Sequence, residues 1–207
     1  MDGIYLVTDQ AACLGRSLDA VVEAAAAQGL CCVQLREKKA DTRTFLAQAQ
    51  RLKSILAGTG IPLVINDRLD IALAVEAEGV HIGQSDMPYE TARKLLGPDA
   101  LIGLSVESWE DVEAAQELDL AYIGVSPLFA TPTKTDTKVP WGLEGLAKIK
   151  AYSRHPLVAI GAVNASNAAE VIQAGARSLA VVSAICSAPD PGAATQELNA
   201  FFHKEQP

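Results

Sequence analysis

The sequence alternates eight times between a short apolar run rich in β-branched residues and a longer, Ala-rich amphipathic segment. Runs of this kind predict strands, and the segments between them have the periodicity of helices. The predicted strands are residues 4–7, 32–35, 62–65, 79–82, 101–104, 121–125, 157–160 and 179–182. The predicted helices are residues 18–28, 42–57, 69–76, 89–96, 109–118, 143–152, 165–174 and 192–203. Because no long linker or shift in composition separates these units, we expect residues 1–207 to form a single domain.

The strand pattern favours one α/β architecture in particular. The runs are almost continuously apolar, which is typical of strands buried on both faces in a parallel sheet. Eight β–α units in about 200 residues suit a compact (β/α)8 TIM barrel, in which the functional site lies at the C-terminal ends of the strands. An open, doubly wound sheet is the competing arrangement for the same order of elements. The barrel is the prediction, and it directs attention to polar residues just beyond the strand ends.

Charge and composition disfavour several classes of partner. The chain has 25 Asp and Glu against 17 Lys and Arg, a formal charge of −8 that disfavours binding to nucleic acid. Its most apolar stretch, residues 179–188, is about half of the roughly 20 residues that a membrane-spanning helix needs. Residues 1–5 have neither the basic flank nor the long apolar run that a secretory signal would lead us to expect. The four cysteines lack CxxC spacing, which predicts free thiols in a reducing compartment. We expect a cytoplasmic protein with small-molecule substrates, and a homo-oligomer stays open.

A short repeat marks several predicted strand ends. The pattern Ile-Gly-x-Ser begins at Ile82, Ile102 and Ile123, at intervals of 20 and 21 residues, and Ile160-Gly161 repeats its first half. Glycine at these places would let the backbone approach a ligand, and serine would direct a hydroxyl towards the barrel mouth. The alternative interpretation is a simple strand-to-turn signal.

A basic segment follows the second predicted strand. The two-residue period of an extended chain places Gln34, Arg36 and Lys38 on one side and Leu35 on the other. Two cations and an amide donor at a barrel mouth suit an anion with several oxygens, such as a diphosphate. A solvated charge cluster is the alternative.

Two aspartates follow neighbouring strands. Asp67 stands in Asn66-Asp67-Arg68 after the third strand, and Asp86 follows the fourth. Beside a basic cluster, a carboxylate pair suits Mg²⁺, which takes one or two protein carboxylates together with substrate phosphates. A general acid/base pair is the second interpretation. A helix cap at Asp67 and a turn at Asp86 are the structural alternatives. His81, inside the fourth apolar run, is interpreted as a packed residue.

Three further segments carry candidate phosphate contacts. The connection of residues 127–138 is longer than most β–α loops and contains hydroxyls and lysines, as binding loops often do. Residues 159–164 and 181–183 end the seventh and eighth strands. Barrels frequently bind a phosphate monoester between those two loops.

Taken in order, these motifs resemble the thiamine-phosphate synthase family. The resemblance extends from residue 5 to residue 185 and rests on four segments: residues 34–38, residues 66–68, residues 79–84 with Asp86, and residues 131–134. It implies a TIM barrel that joins a hydroxymethylpyrimidine diphosphate to a thiazole phosphate, giving thiamine phosphate and pyrophosphate. It also implies a dissociative order of events, in which the carbon–oxygen bond breaks before the thiazole nitrogen attacks.

The resemblance assigns roles to individual residues. It implies that the pyrimidine diphosphate is bound by Gln34, Arg36, Lys38, Asn66, Ser105 and Lys134, of which Arg36, Lys38, Ser105 and Lys134 are also expected to be catalytic. It implies that Asp67 and Asp86 hold Mg²⁺. It implies that the thiazole phosphate is bound by Thr131, Pro132, Thr133, Gly161, Ala162, Val182 and Ser183. Closure of the 127–138 segment is expected to exclude water from the reactive cation.

One departure from the family pattern concerns the end of the seventh strand. The family usually has Gly-Gly there, whereas this chain has Gly161-Ala162. The added methyl is expected to weaken binding of the thiazole phosphate, unless the backbone at Ala162 has a negative φ that makes it harmless.

Two alternative functions share the fold. The related thiazole tautomerase branch has Gly in place of the metal-binding Asp and a catalytic His just before the loop after the sixth strand. Here Asp67 is present and residues 126–129 contain no His, which favours the synthase. A non-catalytic phosphate-binding barrel is the third interpretation. The only observation that favours it is the alanine at position 162.

Overall fold

The parallel strands close on themselves into a barrel. The computed structural model describes residues 1–130 and 139–203. Every neighbouring pair of strands is parallel, including β1 with β8, and the order around the barrel follows the chain. The strands are β1 Gly3–Val7, β2 Cys32–Leu35, β3 Leu63–Asn66, β4 Gly79–Ile82, β5 Leu101–Val106, β6 Tyr122–Val125, β7 Leu157–Ile160 and β8 Ser178–Val181. The predicted (β/α)8 barrel is confirmed, and the open sheet is excluded.

The helices surround this barrel. They are α1 Leu18–Ala26, α2 Thr42–Leu56, α3 Leu69–Ala74, α4 Tyr89–Leu96, α5 Trp109–Ala115, α6 Gly142–Tyr152, α7 Ala168–Gln173, α8 Ser183–Cys186 and α9 Pro191–His203, with a 3₁₀ turn at Ala11–Cys13. The prediction missed α8, a single turn directly after β8. Helix α7 starts later than predicted, because the Asn164 side chain accepts a hydrogen bond from the Ser166 amide and forms a turn ahead of the helix. None of the helices in the described residues is long and apolar enough to cross a membrane.

Alternation along each strand divides the apolar residues into two cores. One set faces the helices and forms the large outer core, as Leu6, Val33 and Ile65 do. The other set fills the inside of the barrel and consists of Tyr5, Val7, Cys32, Val64, Tyr122, Val158 and Ala180. A residue two positions beyond an interior residue also points inwards. Gln34, two positions after Cys32, and Asn66, two positions after Val64, therefore lie above the interior core at the C-terminal end of the barrel.

Candidate functional site

A cavity of about 470 Å³ opens at the C-terminal ends of the strands, above the interior core. Residues from β1 to β8 contribute to its wall, so its floor is the interior core and its rim is made by the loops. The predicted site residues on this wall are Gln34, Arg36, Lys38, Asn66, Asp67, Asp86 and Ser105. Ser85, Ser105 and Ser126, the serines of the repeat, also lie there. The basic segment and the two aspartates, which are far apart in the sequence, thus share one cavity.

Charged groups at the rim contact one another. The Lys38 Nζ donates to Asp67 Oδ2 at 2.5 Å, and the lysine side chain is half exposed. Burial, together with the nearby Asp67 carboxyl, raises the pKa of Asp86. Two carboxyl groups with one lysine between them form a site in which acidic charge is only partly balanced. The helix-cap alternative for Asp67 is wrong, since the N-cap of α3 is Arg68.

The turn alternative for Asp86 is correct in geometry and compatible with a binding role. Asp86 Oδ2 accepts a hydrogen bond from the Gly83 amide at 2.7 Å. That contact holds the carboxyl group against the end of β4, and the remaining lone pairs of the carboxylate stay available because an ionised carboxylate has about four acceptor positions. Asp86 therefore reaches the cavity as a fixed group on a short turn.

Asn66 is a buried donor on the cavity wall. Its side chain is only 6% exposed, and its Nδ2 has no hydrogen-bond partner among residues 1–130 and 139–203. A buried amide without a partner is unfavourable by about 1–3 kcal/mol. Such a group in a polar cavity is typical of a position that a ligand satisfies.

The inner end of the cavity contains a chain of hydrogen bonds that sequence reasoning missed. Gln34 Nε2 donates to the Tyr5 hydroxyl at 2.9 Å, and the Tyr5 and Tyr122 hydroxyls are 2.7 Å apart. His81 Nδ1 is 3.0 Å from the Tyr122 hydroxyl, and His81 Nε2 is 2.8 Å from Ser105 Oγ. His81 does pack, with its ring stacked on Tyr122, but it is also a polar member of the cavity wall, which the sequence interpretation did not include. Its position in the period-2 pattern, two residues after Gly79, was the available signal.

Two glycines of the repeat make room for side chains of this hydrogen-bond chain. A Cβ at Gly103 would lie 2.0 Å from the Tyr122 ring, and a Cβ at Gly124 would lie 3.1 Å from His81 Cε1. Gly103 does not line either cavity, whereas Gly124 lines the first, so close approach of the backbone to a ligand stays a prediction for Gly124 alone of these two. The absence of a side chain at Gly103 creates the slot that Tyr122 occupies.

A second cavity of about 330 Å³ adjoins the first. The predicted residues Gly161, Ala162, Val182 and Ser183 line it, and Arg36 is one of the residues that line both cavities. The backbone of Arg36 is fixed because its amide donates to Thr8 Oγ1 at 3.0 Å. Arg36 therefore lies at the junction of the two cavities.

The Gly161-Ala162 pair has a left-handed backbone at both positions. Gly161 has φ +118°, and a Cβ there would lie 2.8 Å from the Leu128 amide nitrogen, so this position requires glycine. Ala162 has φ +51°, and its methyl group belongs to an exposed residue of the second cavity. The condition for a harmless alanine, a negative φ, is therefore not met.

Four predicted site residues, Thr131, Pro132, Thr133 and Lys134, lie outside the described residues. The chain on either side of that segment is anchored. The Leu128 amide donates to the Ile160 carbonyl oxygen at 2.7 Å, and the Trp141 amide donates to the Pro127 carbonyl oxygen at 3.0 Å. The residues that precede the segment are thus fixed to the end of β7, next to the second cavity.

The donor set of the first cavity fits a magnesium ion that a substrate helps to bind. Within the described residues there is no cluster of three or more His, Cys, Asp or Glu side chains placed to hold a metal. Mg²⁺ does not require one, since it is usually bound through one or two carboxylates plus substrate phosphates and water. Asp67 and Asp86 supply that number of carboxylates on one wall.

The sequence and the fold are both similar to known proteins. Residues 4–185 match the profile of the family described as thiamine monophosphate synthase. The thiamine-phosphate synthase of Albidiferax ferrireducens is 60% identical over 94% of this chain and 89% of its own length. The enzyme of the same name from Vibrio campbellii is 50% identical over 94% of this chain and 95% of its own. Among solved structures, thiamine phosphate pyrophosphorylase from Pyrococcus furiosus has a TM-score of 0.87 at 36% identity, covering 96% of this chain and 94% of that one.

Proposed function

This chain belongs to the thiamine monophosphate synthase family, and on that premise we propose that it joins an aminopyrimidine diphosphate to a thiazole phosphate with release of pyrophosphate. Relatives at 50–60% identity over nearly the whole chain are thiamine-phosphate synthases, so it is an enzyme of the transferase class. The same relatives support the synthase over the tautomerase and over a non-catalytic barrel. The predicted cytoplasmic location and the possible homo-oligomer stay predictions.

One observation carries the assignment of roles: two cavities meet at Arg36, the first with carboxylates and cations at its rim, the second walled by the ends of β7 and β8. In our proposal the pyrimidine diphosphate occupies the first cavity and the thiazole phosphate the second. Asn66, whose Nδ2 has no partner among the described residues, would contact the pyrimidine diphosphate. Each substrate then presents its reactive end at the junction.

In the proposed reaction the protein must stabilise the leaving group, pyrophosphate. When the carbon–oxygen bond of the pyrimidine substrate breaks, negative charge develops on pyrophosphate and positive charge on the aminopyrimidine methylene carbon. In our proposal Arg36 and Lys38 stabilise the first of these, because cations in a partly dry cavity interact with developing charge more strongly than water does. Lys134, outside the described residues, has the same proposed role.

Asp67 and Asp86 are the proposed holders of Mg²⁺. The bound ion would neutralise diphosphate charge and so favour departure of pyrophosphate. The Lys38 ammonium, which contacts Asp67 in the described structure, would then turn to the diphosphate oxygens. The thiazole nitrogen completes the reaction by attacking the methylene carbon, and no covalent bond to the protein forms.

The direct test mixes the purified chain with 4-amino-2-methyl-5-(diphosphooxymethyl)pyrimidine and 4-methyl-5-(2-phosphoethyl)thiazole, with Mg²⁺ or with EDTA. We expect equal amounts of thiamine phosphate and pyrophosphate, formed only with the metal. A parallel reaction with the carboxylated thiazole phosphate identifies the preferred acceptor. Isomerisation of the thiazole without condensation supports the tautomerase instead, and tight binding without turnover supports the non-catalytic barrel.

Ala162→Gly is expected to lower the KM for the thiazole phosphate, because it removes a methyl group from a left-handed position on the wall of the second cavity. The KM for the pyrimidine substrate is expected to stay unchanged. The free energy of unfolding should change by less than about 1 kcal/mol, since relief of left-handed strain is offset by the greater flexibility of glycine in the unfolded chain. Steady-state kinetics and urea denaturation measure these effects. An unchanged or higher KM for the thiazole phosphate contradicts the hypothesis.

A further inference from the structure

The hydrogen-bond chain at the inner end of the first cavity joins five side chains from five strands. Gln34 comes from β2, Tyr5 from β1, Tyr122 from β6, His81 from β4 and Ser105 from β5. Both tyrosine side chains are buried, and burial raises their pKa values well above the ordinary value, so both hydroxyls keep their protons. A chain of neutral groups in which each hydroxyl has a single proton can be arranged in only two self-consistent directions.

The orientation of the Gln34 amide selects one of these directions. Since Gln34 Nε2 donates to the Tyr5 oxygen, the Tyr5 proton is directed to the Tyr122 oxygen. The Tyr122 proton is then directed to His81 Nδ1, which must be an acceptor. A neutral imidazole with an acceptor at Nδ1 has its proton on Nε2, and this proton is donated to Ser105 Oγ. The Ser105 hydroxyl proton is left to point away from His81.

We propose that this chain is a positioning device that makes Ser105 a hydrogen-bond donor towards the ligand, with Tyr5, Tyr122 and His81 acting through it. The inference rests on the proposed function in one respect only, namely that the ligand at this end of the cavity is the aminopyrimidine. The ring nitrogens of an aminopyrimidine are acceptors, and they match a serine hydroxyl that is held as a donor. In this direction the Ser105 proton stays available for such a nitrogen, because His81 occupies only a lone pair of the hydroxyl oxygen.

The reversed direction would have the opposite consequence. If the Gln34 side chain accepted from Tyr5, the proton of His81 would lie on Nδ1, and Ser105 would donate to Nε2. Ser105 would then offer only lone pairs to the ligand. The two directions thus differ in the tautomer of a single imidazole ring, which can be measured without any substrate.

The decisive experiment is ¹⁵N NMR of the imidazole ring nitrogens in the ligand-free protein, with the His81 signals assigned by loss in His81→Gln. In the wild type we expect the Nε2–H tautomer. Gln34→Glu replaces the amide donor with a carboxyl group, which in its ionised form has no proton to donate to Tyr5. Because a carboxylate only accepts, we expect it to reverse the chain and convert His81 to the Nδ1–H tautomer.

Two controls separate transmission along the chain from a general structural change. Tyr5→Phe breaks the chain between Gln34 and His81, so Gln34→Glu in that background should no longer convert the tautomer. Gln50→Glu makes the same substitution at an exposed position of α2 and should leave the His81 signals unchanged. An Nδ1–H tautomer in the wild type, or no conversion in Gln34→Glu, overturns the proposal.

A kinetic test connects the chain to the ligand. Tyr122→Phe removes one hydroxyl from the chain and is expected to raise the KM for the pyrimidine diphosphate about tenfold, the effect of one lost hydrogen bond, with the KM for the thiazole phosphate unchanged. Tyr152→Phe, on the exposed surface of α6, is the matched control. Equal effects on both KM values would refute a role confined to the pyrimidine. If the protein proves inactive as a synthase while the NMR result holds, the proposed function fails, but the inferred direction of the hydrogen-bond chain stands.

Discussion

Asp67→Asn is expected to lower kcat by about 10²–10³-fold, the magnitude associated with loss of one group that stabilises developing charge. The substitution removes the negative charge that is proposed to hold Mg²⁺ and that contacts Lys38. It leaves the backbone undisturbed, because Asp67 has φ +61° and asparagine tolerates this left-handed conformation about as well as aspartate. The loss of activity would therefore report on the charge and not on misfolding.

The measurement is kcat as a function of Mg²⁺ concentration, with circular dichroism to verify the fold. Asp70→Asn is the matched control, since Asp70 is an exposed carboxylate three residues along that pairs with Arg68 and does not line the cavity. It should retain normal turnover. Wild-type turnover in Asp67→Asn, at every Mg²⁺ concentration, would remove Asp67 from the proposed metal site.

Arg36→Gln is expected to reduce kcat by a similar factor, about 10²–10³-fold, because a fixed cation beside the departing pyrophosphate is lost. Arg36 also lines the second cavity, so the KM for both substrates is expected to rise. This double effect distinguishes it from Lys38, which lines only the first cavity of the two. The substitution leaves the backbone N–H of residue 36, which donates to Thr8 Oγ1, in place. The glutamine side chain is still polar but shorter than that of arginine.

Initial rates with each substrate varied in turn measure this prediction. Arg43→Gln, an exposed arginine in the first turn of α2, removes the same charge outside both cavities and should behave as the wild type. A rise in KM for one substrate alone would show that the guanidinium serves a single cavity, and normal kinetics would exclude Arg36 from the site.

Much of the candidate site could be predicted because its residues follow a simple rule of position. Gln34, Asn66 and Ser105 occupy inward-pointing places at the ends of parallel strands, and the closed barrel brings those ends together whatever the distance along the chain. The period-2 pattern placed Gln34, Arg36 and Lys38 on one side, and all three lie on the wall of one cavity. Strand periodicity and barrel closure explain why these residues share one cavity, whereas the individual roles predicted for Asn66 and Ser105 came from the resemblance to the family.

The hydrogen-bond chain could not be predicted in the same way, because its contacts depend on side-chain reach across the barrel. Tyr5 and Tyr122 are 117 residues apart, and nothing near either residue indicates that their hydroxyls meet. His81 was judged by its apolar neighbours in sequence, although alternate strand residues face opposite sides. The positive φ of Ala162 could not be predicted from the sequence either. Alanine normally avoids the left-handed region, and only the surrounding fold imposes that conformation here.

The position of Arg36 between the two cavities has a thermodynamic consequence. An anion that engages the guanidinium from one side changes the electrostatic field felt by an anion on the other side. If each cavity holds one substrate as proposed, linkage requires that each substrate alter the affinity of its companion by the same factor, in whichever order they arrive. A single side chain thus makes two adjoining compartments interdependent, and mutual influence between the substrates becomes a built-in property of the barrel.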